Sequence, residues 1–187
     1  CHPNIPGFSI FNIPKLDKNS KTQLLAKGIL NIKDVPSSFV LSAKQRLIVE
    51  NAKFDNDQIE KEAIKYEIQQ FEFPLYFLDY ETYLSAIPMF DGYKPQQQMV
   101  FQYSLHKLDS LKTEVTHSEH ISITNEDPAL SIVQRLNQDI GDIGTILVWN
   151  KTFEMTRNKE LALLYPFYAD FLFDINERIY DLGDFFN

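Results

Sequence analysis

The run Phe73-Pro74-Leu75-Tyr76-Phe77-Leu78 closes on Asp79-Tyr80-Glu81, and no other stretch of the chain restricts its fold so narrowly. A short apolar and aromatic run of this kind reads as a buried strand. Two carboxylates at i and i+2 then share one face of that strand. Like charges so placed repel each other and are costly to desolvate unless a cation sits between them. A divalent ion answers that cost, and hard oxygen ligands favour Mg²⁺ or Mn²⁺. The plainer alternative is a frayed strand end with one acid in solvent. The tripeptide alone leaves both readings open.

The residues before this run have a helical period. Ser20 to Lys27 is expected to be a helix with Ser20 as N-cap and Gly28 as its stop. Leu24, Leu25, Ile29, Ile32 and Val35 continue it into a small helical hairpin that ends at Pro36. Further helices are expected over 42–52 and 57–70, the latter with Ile59, Ala63 and Tyr66 on one face and charges on the rest. Residues 1–70 therefore read as a helical extension, and 71–187 as the main domain.

From Phe73 onward the period changes. After a strand over 75–78 and a loop over 87–98 come two alternating stretches, 99–108 and 113–123, with Asp109-Ser110 as a hairpin turn. Asp127-Pro128 opens a helix to Ile140, with Leu130, Val133 and Leu136 on one face. A short strand is expected over 145–149, helices over 151–164 and 167–173, and a last strand piece over 178–182. A meander followed by alternating helix and strand predicts a mixed, three-layer α/β architecture.

Composition narrows the class. With 44% hydrophobic and 24% charged residues, including 15 Phe and 9 Tyr, the chain can build a substantial core. Twenty-six acids against 18 bases give a net charge of −8, which argues against a broad basic grip on nucleic acid. It does not argue against acids that hold metal ions. The single cysteine, Cys1, excludes an internal disulfide framework and points to a reducing, cytoplasmic setting. No apolar run approaches the roughly 20 residues that span a bilayer, so no membrane role is expected. Beginning with Cys and closing on Asp184-Phe185-Phe186-Asn187, the chain reads as a piece of a longer protein.

Leu147-Val148-Trp149-Asn150-Lys151-Thr152-Phe153-Glu154 is the second informative stretch. A strand ends, Asn150 turns the chain as a good N-cap, and a helix begins with Glu154 in its first turn. If this strand runs parallel beside 75–78, Asp79, Glu81 and Glu154 converge beyond the strand ends, where α/β sheets bind ligands. In Arg178-Ile179-Tyr180-Asp181-Leu182, Asp181 reads as a cap for Leu182 onward in preference to a metal ligand. His117 and His120 lie three apart on one strand and so face opposite ways, which is poor spacing for a zinc pair. Cys1 and His2 are weak candidates for the tail of an upstream metal cluster.

These motifs resemble the DEDD (DnaQ-like) 3′–5′ exonucleases of the ribonuclease H-like superfamily. Leu78-Asp79-Tyr80-Glu81-Thr82 is similar to their first acidic motif, and Asn150-Lys151-Thr152-Phe153-Glu154 to their second. Tyr180-Asp181-Leu182 is similar to the acid after a later strand. The chain more closely resembles a bacterial family of uncharacterised proteins that carry this domain downstream of a RecB-like nuclease region with a cysteine cluster.

The resemblance implies a ribonuclease H-like mixed sheet flanked by helices and preceded by a small helical extension. It implies a two-metal (Mg²⁺ or Mn²⁺) site for phosphodiester hydrolysis at the ends of DNA or RNA, single strands above all. Asp79, Glu81 and Glu154 would hold the metals, with Asn150 and Asp181 in support. Tyr80, Thr82, Tyr83 and Phe153 would contact nucleic acid. Two departures stand out. Glu154 replaces the usual Asp of the second motif, and the fourth acid of the family lies in a helix later than Asn187, Asp170 and Asp174 being too early for that role. The alternative is therefore a catalytically incomplete domain of the same fold that binds nucleic acid or a partner.

Overall fold

A computed structural model describes residues 5–54, 59–123 and 125–186. Their contacts divide the chain into two compact units, Cys1–Lys61 and Glu62–Asn187. Cys1 and His2, and residues 57 and 58 at the start of the expected third helix, lie outside the described residues.

The first unit packs α1 (Lys18–Ala26) and α2 (Ala43–Phe54) with two single 3₁₀ turns around Ile10, Ile13, Leu16, Leu24, Ile32, Val35 and Val49. The N-cap of α1 lies three residues earlier than expected, at Asp17 rather than Ser20. The Ser20 N–H donates to Asp17 Oδ1 at 3.0 Å and its hydroxyl to Oδ2 at 2.6 Å. Gly28, at φ +73°, closes the helix as expected. Its N–H donates to the Leu25 carbonyl and the Ile29 N–H to that of Leu24, both at 2.9 Å, and the left-handed turn between them suits glycine. The second arm of the expected hairpin is a single 3₁₀ turn, Ile32–Asp34, capped by the Asn31 side chain.

The second unit carries α3 (Lys61–Ile68) from its second residue on, and a five-stranded sheet flanked by helices. The unit boundary at 61/62 precedes the one expected at 70/71. The end of α3 keeps to the sheet: Tyr180 Oη donates to Glu67 at 3.4 Å, and the Phe71 and Tyr180 rings meet edge-on at 4.7 Å. The strands are β1 (Leu75–Leu84), β2 (Gln98–Leu108), β3 (Thr116–Ile121), β4 (Ile146–Val148) and β5 (Ile179–Asp181), in the order β3-β2-β1-β4-β5. The β3-β2-β1 part is an antiparallel meander, while β4 and β5 run parallel to β1. The sheet is thus mixed, as the sequence pattern predicts.

Alternation along β1 sorts its two faces. Tyr76, Leu78 and Tyr80 enter the core with Tyr103 and Leu105 of β2. Over them lie α4 (Pro128–Asp139), α5 (Lys151–Leu164) and α6 (Ala169–Glu177), through Ile132, Val133, Leu136, Leu161, Leu172 and Ile175. Asp79 and Glu81 take the opposite face, across the ladder from Ser104 and Gln102. His117 and His120 also face opposite ways: His117 Nε2 meets Ser104 Oγ at 3.0 Å, and His120 Nε2 meets Ser131 Oγ of α4 at 3.1 Å. Among the described residues, no helix is long and apolar enough to cross a membrane.

Asp127 fastens α4 to the rest of this unit. It accepts the Ala129 N–H at 3.0 Å as the helix cap and the hydroxyls of Tyr93 at 3.0 Å and Tyr165 at 2.6 Å. Replacing it with Ala removes all three acceptor contacts, so Asp127→Ala should lower unfolding free energy by about 2–4 kcal/mol. Urea denaturation measures this, and a loss well under 1 kcal/mol would contradict it.

Candidate functional site

The acids of β1 are not at a strand end. The apolar run ends at Leu78, but β1 continues to Leu84 because the eleven-residue β2 supplies a ladder for it, interrupted by a bulge between Glu81 and Thr82. On the other edge, β4 pairs only with Tyr76 and Phe77. Asp79 and Glu81 therefore overhang the end of β4, where α5 begins. Both are exposed.

Helix α5 starts as its sequence predicts. Asn150 is the N-cap and accepts the Phe153 N–H at 3.3 Å. Asp181, on the neighbouring β5, accepts the Lys151 N–H at 2.9 Å with Oδ2 and the Gly183 N–H at 2.9 Å with Oδ1. It caps both α5 and the 3₁₀ turn Leu182–Phe186, which extends the cap reading of this residue. Lys151 Nζ pairs with Asp184 at 3.2 Å.

Glu154 is turned inward from the first turn of α5 and is only 3% exposed. The Tyr80 backbone N–H faces its carboxylate. Its Oε2 is buried and, among the described residues, has no hydrogen-bond partner. Burial first, and then the charge of Asp79, push its pKa up to about 8, against the smaller opposing effects of the Tyr80 N–H and Arg157. A buried carboxylate oxygen without a hydrogen-bond partner, held beside an exposed acid, is only weakly offset by the charge of Arg157. Asp79 and Glu154 thus fit as oxygen donors to a hard divalent cation. Glu81 shares the strand face of Asp79, but among the described residues no group of three or more His, Cys, Asp or Glu side chains is close enough to hold a metal ion.

The expected nucleic-acid contacts divide. Tyr80 does not offer a ring to a base. It is 3% exposed, packs in the core and donates its hydroxyl to Asn158 at 2.8 Å. Burial, and then the charge of Glu154, hold its phenol well above the usual range. Its place follows from strand alternation: with Asp79 and Glu81 outward, the residue between them points in. Phe153 is partly buried against the core, with the Arg157 guanidinium 5.1 Å from its ring centre. Thr82 is half-buried. Tyr83 is half-exposed and lines a hollow of about 450 Å³ with Met89, Phe90, Met99 and Phe101.

Asn158, fully buried, was not among the residues singled out in the sequence. The available signal was its spacing. It lies four residues after Glu154, on the face of α5 that Leu161 commits to the core.

No curated protein and no solved structure matches the chain. One family model does, described as Domain of unknown function (DUF2779), over residues 76–187. The match runs from the second residue of β1 and so takes in Asp79, Glu81, Glu154 and Asp181. On a match of that extent, containing every acid of the site, the chain belongs to the DUF2779 family.

Proposed function

We propose that the second unit is a metal-dependent nuclease domain of the ribonuclease H-like, DEDD exonuclease type, hydrolysing phosphodiester bonds at nucleic-acid ends. The observation that carries this reading is the buried, unpartnered Glu154 Oε2 beside Asp79. The mixed sheet supports it, since it sets the first motif on β1 next to the second on α5.

In this reading Asp79 and Glu154 hold Mg²⁺ or Mn²⁺. A bound ion of this kind lowers the pKa of a water and stabilises a leaving phosphate oxygen. Glu81 stands on the same strand face, free to accept a proton from a water or to bring in a second ion. Asn150 and Asp181 act on backbone N–H groups and fix the start of α5, and with it the placement of Glu154. Tyr83 and its hollow offer stacking surface to a single-stranded end of DNA or RNA. The reading sets the domain in the cytoplasm, working with an upstream nuclease region of the same protein.

Asp79→Asn should weaken Mn²⁺ binding by about 100-fold or more, since even outer partners of a metal ligand are worth 10–100-fold. Calorimetry measures it, and unchanged affinity would remove Asp79 from the site. End-labelled single strands of DNA and RNA, incubated with Mn²⁺, then report cleavage.

A catalytically incomplete domain of the same fold is favoured by a separate observation: both Asp181 oxygens are taken by backbone N–H groups, and the described acids assemble no third ligand. Binding of single strands without cleavage in Mn²⁺ would select that reading.

A further inference from the structure

We infer that Tyr80, Asn158 and Asn176 form a buried positioning network whose task is to hold the Glu154 carboxylate in register with Asp79. Its functional meaning rests on the metal-site reading above, while its geometry is independent of it.

Helix α5 grips Tyr80 at two points. The Tyr80 backbone N–H faces the Glu154 carboxylate closely enough to favour its charged form, and Asn158, one helical turn later, accepts the Tyr80 hydroxyl at 2.8 Å. Two contacts from one helix to the two ends of one strand residue restrict both the rotation of α5 about its axis and its sliding along β1. Asn158 is itself held, since its Nδ2 donates to Asn176 Oδ1 of α6 at 2.9 Å. Asn176 Nδ2 donates in turn to the Met155 carbonyl at 3.4 Å, which returns the chain of bonds to α5, one residue after Glu154.

The location is otherwise apolar. Tyr80 belongs to the same buried cluster as Leu161, Leu172 and Ile175, and Asn158 is fully enclosed. Leu and Phe would fill such a space without any desolvation penalty, and a buried amide is tolerated only when its partners are present. Apolar contacts are non-directional and leave a helix several nearly equal settings. A chain of directional bonds leaves one. The residue so fixed lies between the two acids of β1, so the setting of α5 is referred directly to Asp79. Tyr80 and Asn158 are thus positioning residues, acting through Glu154.

The test uses Tyr80→Phe, Asn158→Leu and the double variant in the full chain. Tyr80→Phe strands Asn158 Oδ1, while Asn158→Leu strands both the Tyr80 hydroxyl and Asn176 Oδ1, so each should destabilise and Asn158→Leu the more. The double variant leaves only Asn176 Oδ1 stranded, so it should be more stable than Asn158→Leu and stay folded for the decisive readings.

The first reading is amide hydrogen exchange at Tyr80 in Asn158→Leu and in the double variant, with Leu78 on the same strand as internal reference. Protection of Tyr80 relative to Leu78 should fall at least tenfold as Glu154 leaves its N–H. An unchanged ratio would overturn the inference whatever the metal does. The second is Mn²⁺ affinity of the double variant, expected to drop about tenfold at recovered stability. Wild-type affinity there would show that the network only packs, and would overturn its positioning role. If the wild-type chain binds no Mn²⁺, the metal-site reading fails separately, and the Tyr80 amide still decides whether the network places Glu154.

Discussion

Metal-free protein is expected to lose stability as the pH rises from about 5 to about 8, and Glu154→Gln is expected to remove most of that loss. The Glu154 carboxyl, with an ordinary value of 4.5, is raised to about 8 in the folded chain, through burial and the neighbouring Asp79. Between those two values the unfolded chain has released this proton and the folded chain has kept it. The unfolded state then binds fewer protons, so raising the pH favours unfolding throughout the window. Above about pH 8 both states are ionised and the full penalty is present. At 1.36 kcal/mol per unit the full effect is on the order of 5 kcal/mol.

Gln is close in shape, carries no charge, and keeps an oxygen to face the Tyr80 N–H. Urea midpoints from pH 5 to pH 9 for the two proteins make the comparison, because every other titrating group is common to both. The wild-type curve should fall relative to the variant, and parallel curves would show that Glu154 is not held in the buried setting described. Saturating Mn²⁺ at pH 8 should restore the wild-type chain and leave Glu154→Gln unchanged, since only a ligand bound by the folded state adds stability.

The second large effect is expected at Gly144, just before β4. Its φ of +102° lies in the region that side chains rarely enter, and a Cβ there would stand 2.1 Å from the Pro74 carbonyl oxygen. Both obstacles are backbone, so no rotamer relieves them. The contacts that place β4 beside β1 surround this point. The Thr145 N–H donates to the Glu72 carbonyl at 2.8 Å and the Tyr76 N–H to the Thr145 carbonyl at 2.9 Å, while Arg178 Nη1 donates to the Gly144 carbonyl at 3.1 Å.

Gly144→Ala should therefore cost more than about 3 kcal/mol, combining a left-handed strain of about 1–2 kcal/mol with a displaced strand. Gly141→Ala serves as a control. Its Cβ would come 3.3 Å from the Tyr76 hydroxyl at ordinary φ, and a loss under about 1 kcal/mol is expected. Chemical denaturation of the two variants decides the matter. Equal, small losses would mean that β4 does not need this close approach.

Elements with local signals were legible in sequence. Helix α4 follows Asp127-Pro128 and buries Val133 and Leu136 of its expected face, with Ile132 in place of the exposed Leu130, and α5 begins behind the Asn150 cap and spans the expected residues. Both carry their start signal and their period within a dozen residues. The extent of β1 was not legible. Asp79-Tyr80-Glu81-Thr82-Tyr83 has no apolar run, and it is strand because β2, some twenty residues later, pairs with it. The start of α1 was misplaced because Ser20 is a good cap by type, and the competing Asp17 is better placed to bond it.

The site divides along the same line. The chain by itself determined which chemistry is present: two acids at strand spacing, and an Asn-capped helix with Glu154 in its first turn. Those are local patterns, written in neighbouring residues. Only the tertiary structure decided that Glu154 is buried with an oxygen unpartnered, that the described acids form no three-ligand group, that Asp181 is spent on two caps, and that Tyr80 is a core residue bonded to Asn158. Desolvation, partner choice and coupling between charges depend on what lies within a few ångströms, and residues 79, 154 and 181 are brought that close by the sheet rather than by the order of the chain.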